Sequence, residues 1–206
     1  LDVKQNPLYE KDGLALLDTH YYGGIKNYQW VAIPLALHGV VAKKDGSTAS
    51  VCIGERDDDP VFCVTDLLPH LGRKQLEKKG AEVVEGEDLD VLVGNRIASA
   101  ACEGTGDAAG DEADAGDQKA PKDPVKALVL DILAKEYGIA EDDFLSAELE
   151  VVPAGSARAL GFDRSMVLGY GQDDRVCAFA SLAAQLAVAD AGTPRRTAVC
   201  VLVDKE

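Results

Sequence analysis

The sequence predicts an α/β protein, and three observations support this prediction. The first 53 residues consist mainly of short aliphatic and β-branched runs, which are typical of strands. Two later segments carry helix boundary signals, one that begins at Pro124 and one from Arg175 to Ala189. The apolar run from Val199 to Val203 is typical of a strand that is covered on both faces of a sheet.

The β-rich start contains four extended runs that are separated by turn signals. The runs are residues 14–17, 30–33, 35–41 and 47–53. Asp45-Gly46 lies between the last two, and an Asp-Gly pair between β-rich runs is a strong hairpin signal. We therefore predict a hairpin that turns at this pair.

Residues 99–124 differ in composition from the rest of the chain. They are mostly Ala, Gly, Asp and Glu, with six acidic residues before the first basic residue, Lys119. Such a stretch cannot bury enough apolar surface to offset the entropy of ordering the chain. We predict a disordered acidic surface loop over this range.

The helix after this segment has the clearest boundaries. Asp123 is the predicted N-cap, Pro124 suits the first helical position, and Gly138 is the predicted stop. The apolar residues of one stripe are Val125, Leu128, Val129, Ile132 and Leu133. The next predicted element is a strand from Ser146 to Val152, which is followed by Pro153.

Composition and charge exclude several classes of function. The chain has 206 residues, of which 47% are hydrophobic and 28% charged, as in an ordinary globular protein. No apolar stretch reaches the roughly 20 residues that span a bilayer. A net charge of −15 repels nucleic-acid phosphates and anionic membrane surfaces. We therefore predict neither nucleic acid nor membrane as a partner.

The five cysteines are widely spaced and form no Cys-x-x-Cys pair, which disfavours both a disulfide framework and a cysteine zinc site. Cys177 and Cys200 lie in apolar runs and are predicted to be small buried side chains. Cys52 and Cys63 have no base nearby in the sequence, which disfavours a nucleophilic role. This use of cysteine favours a reducing, cytoplasmic location.

Two aspartates, Asp173 and Asp174, precede the second predicted helix. One interpretation is helix capping, because a carboxylate at this position accepts hydrogen bonds from free backbone N–H groups. The other is ligand binding, because capping requires one aspartate and the glycines before the pair, Gly169 and Gly171, allow a close approach of the backbone to a ligand. The residues alone leave both interpretations open.

Asp204 and Glu206 follow the run that is predicted to be a buried strand. Acidic residues at a chain end are usually solvated, yet zinc hydrolases also place a general base or an oxygen ligand at such a sheet edge. Of the three histidines, whose spacing provides no metal-binding pair on a helix, His70 is the candidate that we keep, for substrate binding. The missing initiator methionine and the acidic end predict an internal piece of a longer protein.

Six segments resemble, in the same order along the chain, the aminopeptidase I and aspartyl aminopeptidase family of dizinc exopeptidases, metallopeptidase family 18. The segments are Lys4–Glu10, Tyr21–Ile25, Thr65–Leu71, Ser146–Leu149, Tyr170–Arg175 and Val203–Glu206. The resemblance covers nearly the whole chain except the acidic segment. The Gln-Asp-Asp-Arg sequence from Gln172 to Arg175 is more similar to the aminopeptidase I branch than to the aspartyl branch.

The resemblance implies a zinc-exopeptidase-like α/β catalytic layer that is interrupted by a mostly β dimerisation domain. It assigns residues 1–22 and 166–206 to the catalytic domain, and residues 23–165 to the insert. Asp173 matches the carboxylate that bridges two zinc ions, and Asp174 matches a neighbouring position that is not a ligand. Glu206 matches the general base that accepts a proton from metal-bound water.

Of the family's metal ligands, only Asp173 falls within the chain. The resemblance therefore implies that the parent is a zinc aminopeptidase, with two zinc ions, peptide substrates and a homo-oligomer built from dimers, and that this chain alone is inactive. The alternative is a non-catalytic interaction module. In that case the β-rich middle forms a dimer, and Asp173 and Glu206 are only a helix cap and a chain end.

Overall fold

The computed structural model describes residues 1–97 and 121–203, in a mixed α/β fold with an antiparallel main sheet. Contacts divide the chain into two compact units, Leu1–Gly155 and Ser156–Glu206. Most of the predicted acidic loop, together with Asp204 and Glu206, lies outside the described residues. No helix in the described ranges is both long and apolar enough to cross a membrane.

The first unit is built on a sheet of seven strands in the order β4-β3-β7-β1-β2-β6-β5. The strands are β1 (Asp2–Lys11), β2 (Leu14–His20), β3 (Leu35–Ala42), β4 (Thr48–Ile53), β5 (Cys63–Val64), β6 (Val91–Gly94) and β7 (Ala147–Pro153). All pairs of these strands are antiparallel. Strand β7 pairs along its full length with residues 35–41 of β3, although more than 100 residues separate Leu35 from Pro153.

Tight turns form two of the hairpins. The β3–β4 hairpin turns at Asp45-Gly46 as predicted, and the Asp45 carboxylate accepts hydrogen bonds from the backbone N–H and the hydroxyl of Ser47. The β1–β2 hairpin turns at Asp12-Gly13, where both residues have positive φ, as a type I′ turn requires. The sequence interpretation missed this second turn, because β1 is too polar to resemble a buried strand.

Strand β1 contains a bulge that explains how Pro7 fits inside it. The pairing of β1 with β2 shifts register between Val3 and Leu8, and Asn6 within this interval has a φ of 53°. Proline cannot donate a ladder hydrogen bond, so within strands it is confined to edges and bulges. The bulge places Pro7 and Leu8 side by side in the core.

The helix α2 (Pro124–Ile132) begins at the predicted residue and continues into a π-helical turn (Leu133–Tyr137). The turn ends at Gly138, the predicted stop, which has a φ of 64°. Val125 is buried, and Val129 and Leu133 pack against the core. Asp123 occupies the N-cap position, but its side chain makes no capping hydrogen bond. Instead, the Glu10 carboxylate on β1 accepts hydrogen bonds from the backbone N–H groups of Val125, at 2.8 Å, and Lys126, at 3.0 Å.

The core of the first unit lies on the inner face of the sheet. In β3 the residues Leu35, Leu37 and Val41 are buried, as is Ala36 between the first two. In β7 the buried Leu149 and Val151 alternate with more exposed residues. The short helical segments of this unit are Asn27–Gln29, α1 (Arg73–Leu76), Gly86–Asp88 and Glu141–Ser146. The last of these contributes the buried ring of Phe144.

The second unit contains a hairpin of β8 (Arg158–Leu160) and β9 (Met166–Leu168), followed by α3 (Gln172–Asp190). Between residues 156 and 203 no side chain is classed as buried. The predicted strand from Val199 to Val203 is wrong, because these residues form no strand and Val199 is 74% exposed. Burial of Cys177 is also wrong, since it is exposed, and Cys200 is half-buried.

The contact division differs from the predicted domain boundaries. Strands β1 and β2, within residues 1–22, pair with β7 and β6 of the first unit, and the division falls at Gly155 rather than at residue 165. Contacts within the chain do not test which residues serve catalysis or dimerisation. The assignment of residues 1–22 and 166–206 to a catalytic domain stays a prediction.

Candidate functional site

The two predicted site aspartates lie at the start of α3. Gly171 precedes the helix with a φ of 78°, a conformation that glycine adopts without strain. Asp173 and Asp174 both have non-helical backbone angles, and the peptide bond between them is cis. Regular helical geometry therefore begins only after Asp174.

The contacts of the two aspartates differ. The thiol of Cys177 donates a hydrogen bond to the carboxylate of Asp174, and this bond, followed by the Asp174 charge, raises the pKa of the Cys177 thiol. The carboxylate of Asp173 makes no hydrogen bond or salt bridge with any residue in the described ranges. Asp174 thus has a partner within its own helix, whereas Asp173 is exposed at the start of the helix.

The raised pKa of Cys177 also bears on its chemistry. Thiolates, rather than thiols, act as nucleophiles and metal ligands. Because Asp174 stabilises the protonated form, Cys177 is a poor candidate for either role at neutral pH.

Neither of the other two predicted site residues lies in the described part of the second unit, which contains Asp173. Glu206 lies outside the described residues. His70 is exposed in a turn, where the backbone N–H groups of Leu71 and Gly72 donate to the carbonyl of Leu68. His70 belongs to the first unit and Asp173 to the second. The roles of Glu206 in catalysis and of His70 in substrate binding stay predictions.

The described residues do not fit a zinc site on their own. Within residues 1–97 and 121–203, no group of three or more His, Cys, Asp or Glu side chains is arranged to hold a metal ion. Zinc sites in proteins require at least three such ligands. Asp173 alone cannot supply this set.

A polar group on the outer face of the sheet was not singled out from the sequence. His38 on β3 is paired in register with Cys52 on one side and Glu150 on the other, and its Nε2 atom lies 2.8 Å from Oε1 of Glu55. The signal available in the sequence is the alternation of β3, which places His38 on the face opposite to Leu37. The partners lie on other strands or, in the case of Glu55, just after β4, and could not be read from that pattern.

Comparison with known proteins gives a family for the whole chain. The model of the family described as "Aminopeptidase I zinc metalloprotease (M18)" matches residues 1–206. A relative from Clostridium acetobutylicum, named "Probable M18 family aminopeptidase 1", is 53% identical over 206 residues. A relative of the same name from Thermotoga maritima is 44% identical over 206 residues.

Solved structures are similar as well. A crystal structure of an M18 family aminopeptidase from Thermotoga maritima matches 90% of the chain with a TM-score of 0.75 and 45% identity. The crystal structure of aminopeptidase I from Clostridium acetobutylicum matches 90% of the chain with a TM-score of 0.73 and 54% identity. The chain spans 40% of the length of the two curated relatives and 37% of each of these structures.

Proposed function

The chain belongs to the aminopeptidase I zinc metalloprotease (M18) family, and on this premise we propose that it is part of a zinc-dependent aminopeptidase that removes N-terminal residues from peptides. The observation that carries the proposal is the family match over all 206 residues. Two curated relatives that match the full chain are named aminopeptidases, which favours an enzyme over a non-catalytic interaction module.

Within this function, Asp173 is proposed to bind zinc as a bridging carboxylate. Two features of the structure support the assignment. Its carboxylate has no hydrogen bond or salt bridge with a described residue, and its neighbour Asp174 is engaged by Cys177. Glu206 is proposed as the general base and His70 as a substrate-binding residue, both on the family resemblance alone.

The remaining ligands must come from outside the described residues, because these contain no group that could hold a metal ion. We therefore expect the 206-residue chain alone to bind zinc weakly and to show no peptidase activity. The intact enzyme is proposed to bind two zinc ions, to form a homo-oligomer built from dimers and to act in the cytoplasm.

The test uses the complete reading frame that encodes this chain. The purified protein is assayed on a panel of aminoacyl anilides, before and after treatment with a chelator and after zinc is restored. We expect hydrolysis that the chelator abolishes and that zinc restores. A protein that cleaves none of these substrates, or whose activity is insensitive to the chelator, would contradict the proposal.

Three variants separate metal binding from proton transfer. Asp173→Ala should lower both zinc content and turnover, whereas Asp174→Ala should keep the zinc. Glu206→Gln should keep zinc content but lower turnover by about 100-fold or more, because only the proton acceptor is lost. Equal zinc content in the two aspartate variants, measured by elemental analysis, would remove Asp173 from the metal site.

A further inference from the structure

The first unit contains an apolar cavity that the proposed peptidase function does not use. It has a volume of about 190 Å³ and lies between the inner face of the sheet and the helical segment that begins with α2. Leu37, Val51 and Leu149 line it from the sheet, and Val129, Leu133 and Tyr137 line it from the helical segment. The three residues on the sheet side are buried.

The lining offers ordered water few hydrogen-bond partners. Among its lining side chains only Glu136 and Tyr137 carry polar atoms. A buried water molecule needs two to four polar partners, and apolar cavities of about 150 Å³ stay dry and bind molecules such as benzene. The cavity is large enough for a phenyl ring with a short alkyl chain.

One side of the cavity reaches the protein surface. The lining residues Pro60, Ile132 and Glu136 are exposed, and Ile132 retains 39% of its accessible surface. A ligand can therefore enter along the helical segment without displacing the buried sheet residues. Ile132 and Glu136 are four positions apart and so lie next to each other on the helical surface.

Glu136 is the one charged residue among the lining residues of this cavity. Glu136 makes no salt bridge with any residue that the structure describes. Burial, and then the charges of Glu136 and Asp59, raise the pKa of the Tyr137 hydroxyl. The Asp59 carboxylate accepts hydrogen bonds from the backbone N–H groups of Gly54 and Arg56, and Arg56 offsets part of its charge. Glu136 is thus the carboxylate that lacks a partner at the opening.

We propose that this cavity is a binding site for a small molecule with an apolar tail and a cationic head group, of the arylalkylamine class. The tail occupies the space between the sheet and the helical segment, and the ammonium group pairs with Glu136 at the mouth. An anionic head group would meet the Glu136 charge and is disfavoured. This site is independent of the zinc-binding role proposed for Asp173.

Three probes with one tail test the proposal by isothermal titration calorimetry on the complete protein. The probes are 4-phenylbutylamine, 4-phenylbutan-1-ol and 4-phenylbutyrate. For ligands of this size we expect a Kd on the order of 0.1–1 mM for the amine. The alcohol should bind roughly two- to fivefold more weakly, which is the range of a solvent-exposed ion pair, and the carboxylate more weakly still.

Two variants, each with a matched control, locate the site. Ile132→Trp should block the mouth and weaken amine binding at least about tenfold, whereas Ile97→Trp, at a residue 63% exposed and outside the lining, should not. Glu136→Gln should remove the difference between amine and alcohol, whereas Glu148→Gln should preserve it. Peptidase activity should be unchanged in all four variants.

Several results would overturn the proposal. One is that 4-phenylbutyrate binds as tightly as 4-phenylbutylamine. The others are that no probe binds, or that Ile132→Trp binds the amine with unchanged affinity. If Ile132→Trp fails to fold, the probe series on the unmodified protein and on Glu136→Gln still decides the outcome. Loss of peptidase function would leave these binding results unaffected, so failure of one proposal is distinguishable from failure of the other.

Discussion

The two units of the molecule contain similar kinds of residues but bury them very differently. Every hydrophobic side chain that is buried in the described structure belongs to Leu1–Gly155. In the second unit, the apolar residues Val176, Phe179 and Leu186 of α3 are more than half exposed. Regular secondary structure is thus present in both units, but among the described residues only those of the first unit form a buried core.

The difference follows from the number of layers that each unit can build. A domain needs at least two packed layers to bury an apolar face. The first unit packs α2 against one face of its sheet, whereas the described part of the second has one helix and two strands of three residues each. An apolar segment therefore needs another element to cover it, but its own sequence does not identify that element.

The largest expected effect is on amide hydrogen exchange in the 206-residue chain. The amides of β3 and β7 require opening of the core to exchange, whereas those of α3 require only local opening. We expect protection in β3 and β7 to exceed protection in α3 by at least about 100-fold. Exchange monitored by mass spectrometry checks this, and equal protection in the two regions would show that α3 is held as firmly as the core.

Leucine substitutions in the two units give the next largest difference. Leu35→Ala, at a residue with no exposed surface, should lower the free energy of unfolding by about 2–5 kcal/mol, because it leaves a cavity in the core. Leu186→Ala, at a residue 57% exposed, should change it by less than about 0.5 kcal/mol. Urea denaturation of both variants measures the contrast. A similar cost for the two would mean that Leu186 is buried in solution.

Removal of the Glu10 contact tests how the first unit holds its helix. Glu10→Ala deprives the N–H groups of Val125 and Lys126 of their acceptor and should cost about 0.5–2 kcal/mol of stability. Glu148→Ala, on an exposed position of β7, is the matched control and should be close to neutral. The same denaturation experiment distinguishes them. No loss of stability in Glu10→Ala would show that packing alone fixes α2.

The smallest effect concerns the first turn of α3. Because Asp174 raises the pKa of Cys177, the thiolate forms at higher pH than in an ordinary cysteine and alkylation near pH 8 is slowed. Asp174→Asn should lower this pKa and speed alkylation of Cys177 by roughly two- to fivefold. Asp173→Asn should change the rate less, since only its charge acts on the thiol. Peptide mass spectrometry resolves Cys177 from the other cysteines, and unchanged rates in Asp174→Asn would show that this turn is not held in solution.

Local features of the fold could be predicted from the sequence, whereas long-range ones could not. The turn at Asp45-Gly46, the helix after Pro124 and its stop at Gly138 depend on neighbouring residues, and all three are observed. The β3–β7 pairing joins distant parts of the chain through backbone atoms, which any residue could supply. For the same reason, the run from Val199 to Val203 predicted a strand for which the described structure holds no partner.

The candidate site shows the same limit. The sequence located Asp173 at the start of a helix, because glycines and acidic residues mark such junctions, and the structure has it there. The lack of a hydrogen bond from Asp173 to a described residue and the engagement of Asp174 by Cys177 depend on side-chain orientation, which sequence spacing does not determine. The Glu10 cap of α2 was unpredictable for a further reason, since its two partners are 115 and 116 residues away.

The Glu10 contact gives the start of α2 an anchor on a distant strand. The backbone N–H groups of Val125 and Lys126 donate to a carboxylate that lies 115 and 116 residues earlier in the chain, whereas Asp123, directly before the helix, makes no capping hydrogen bond. A local cap is lost when the residue before a helix is changed, but this cap is lost only when Glu10 or its strand is displaced. We therefore expect α2 to unfold together with β1 rather than to fray independently from its first turn.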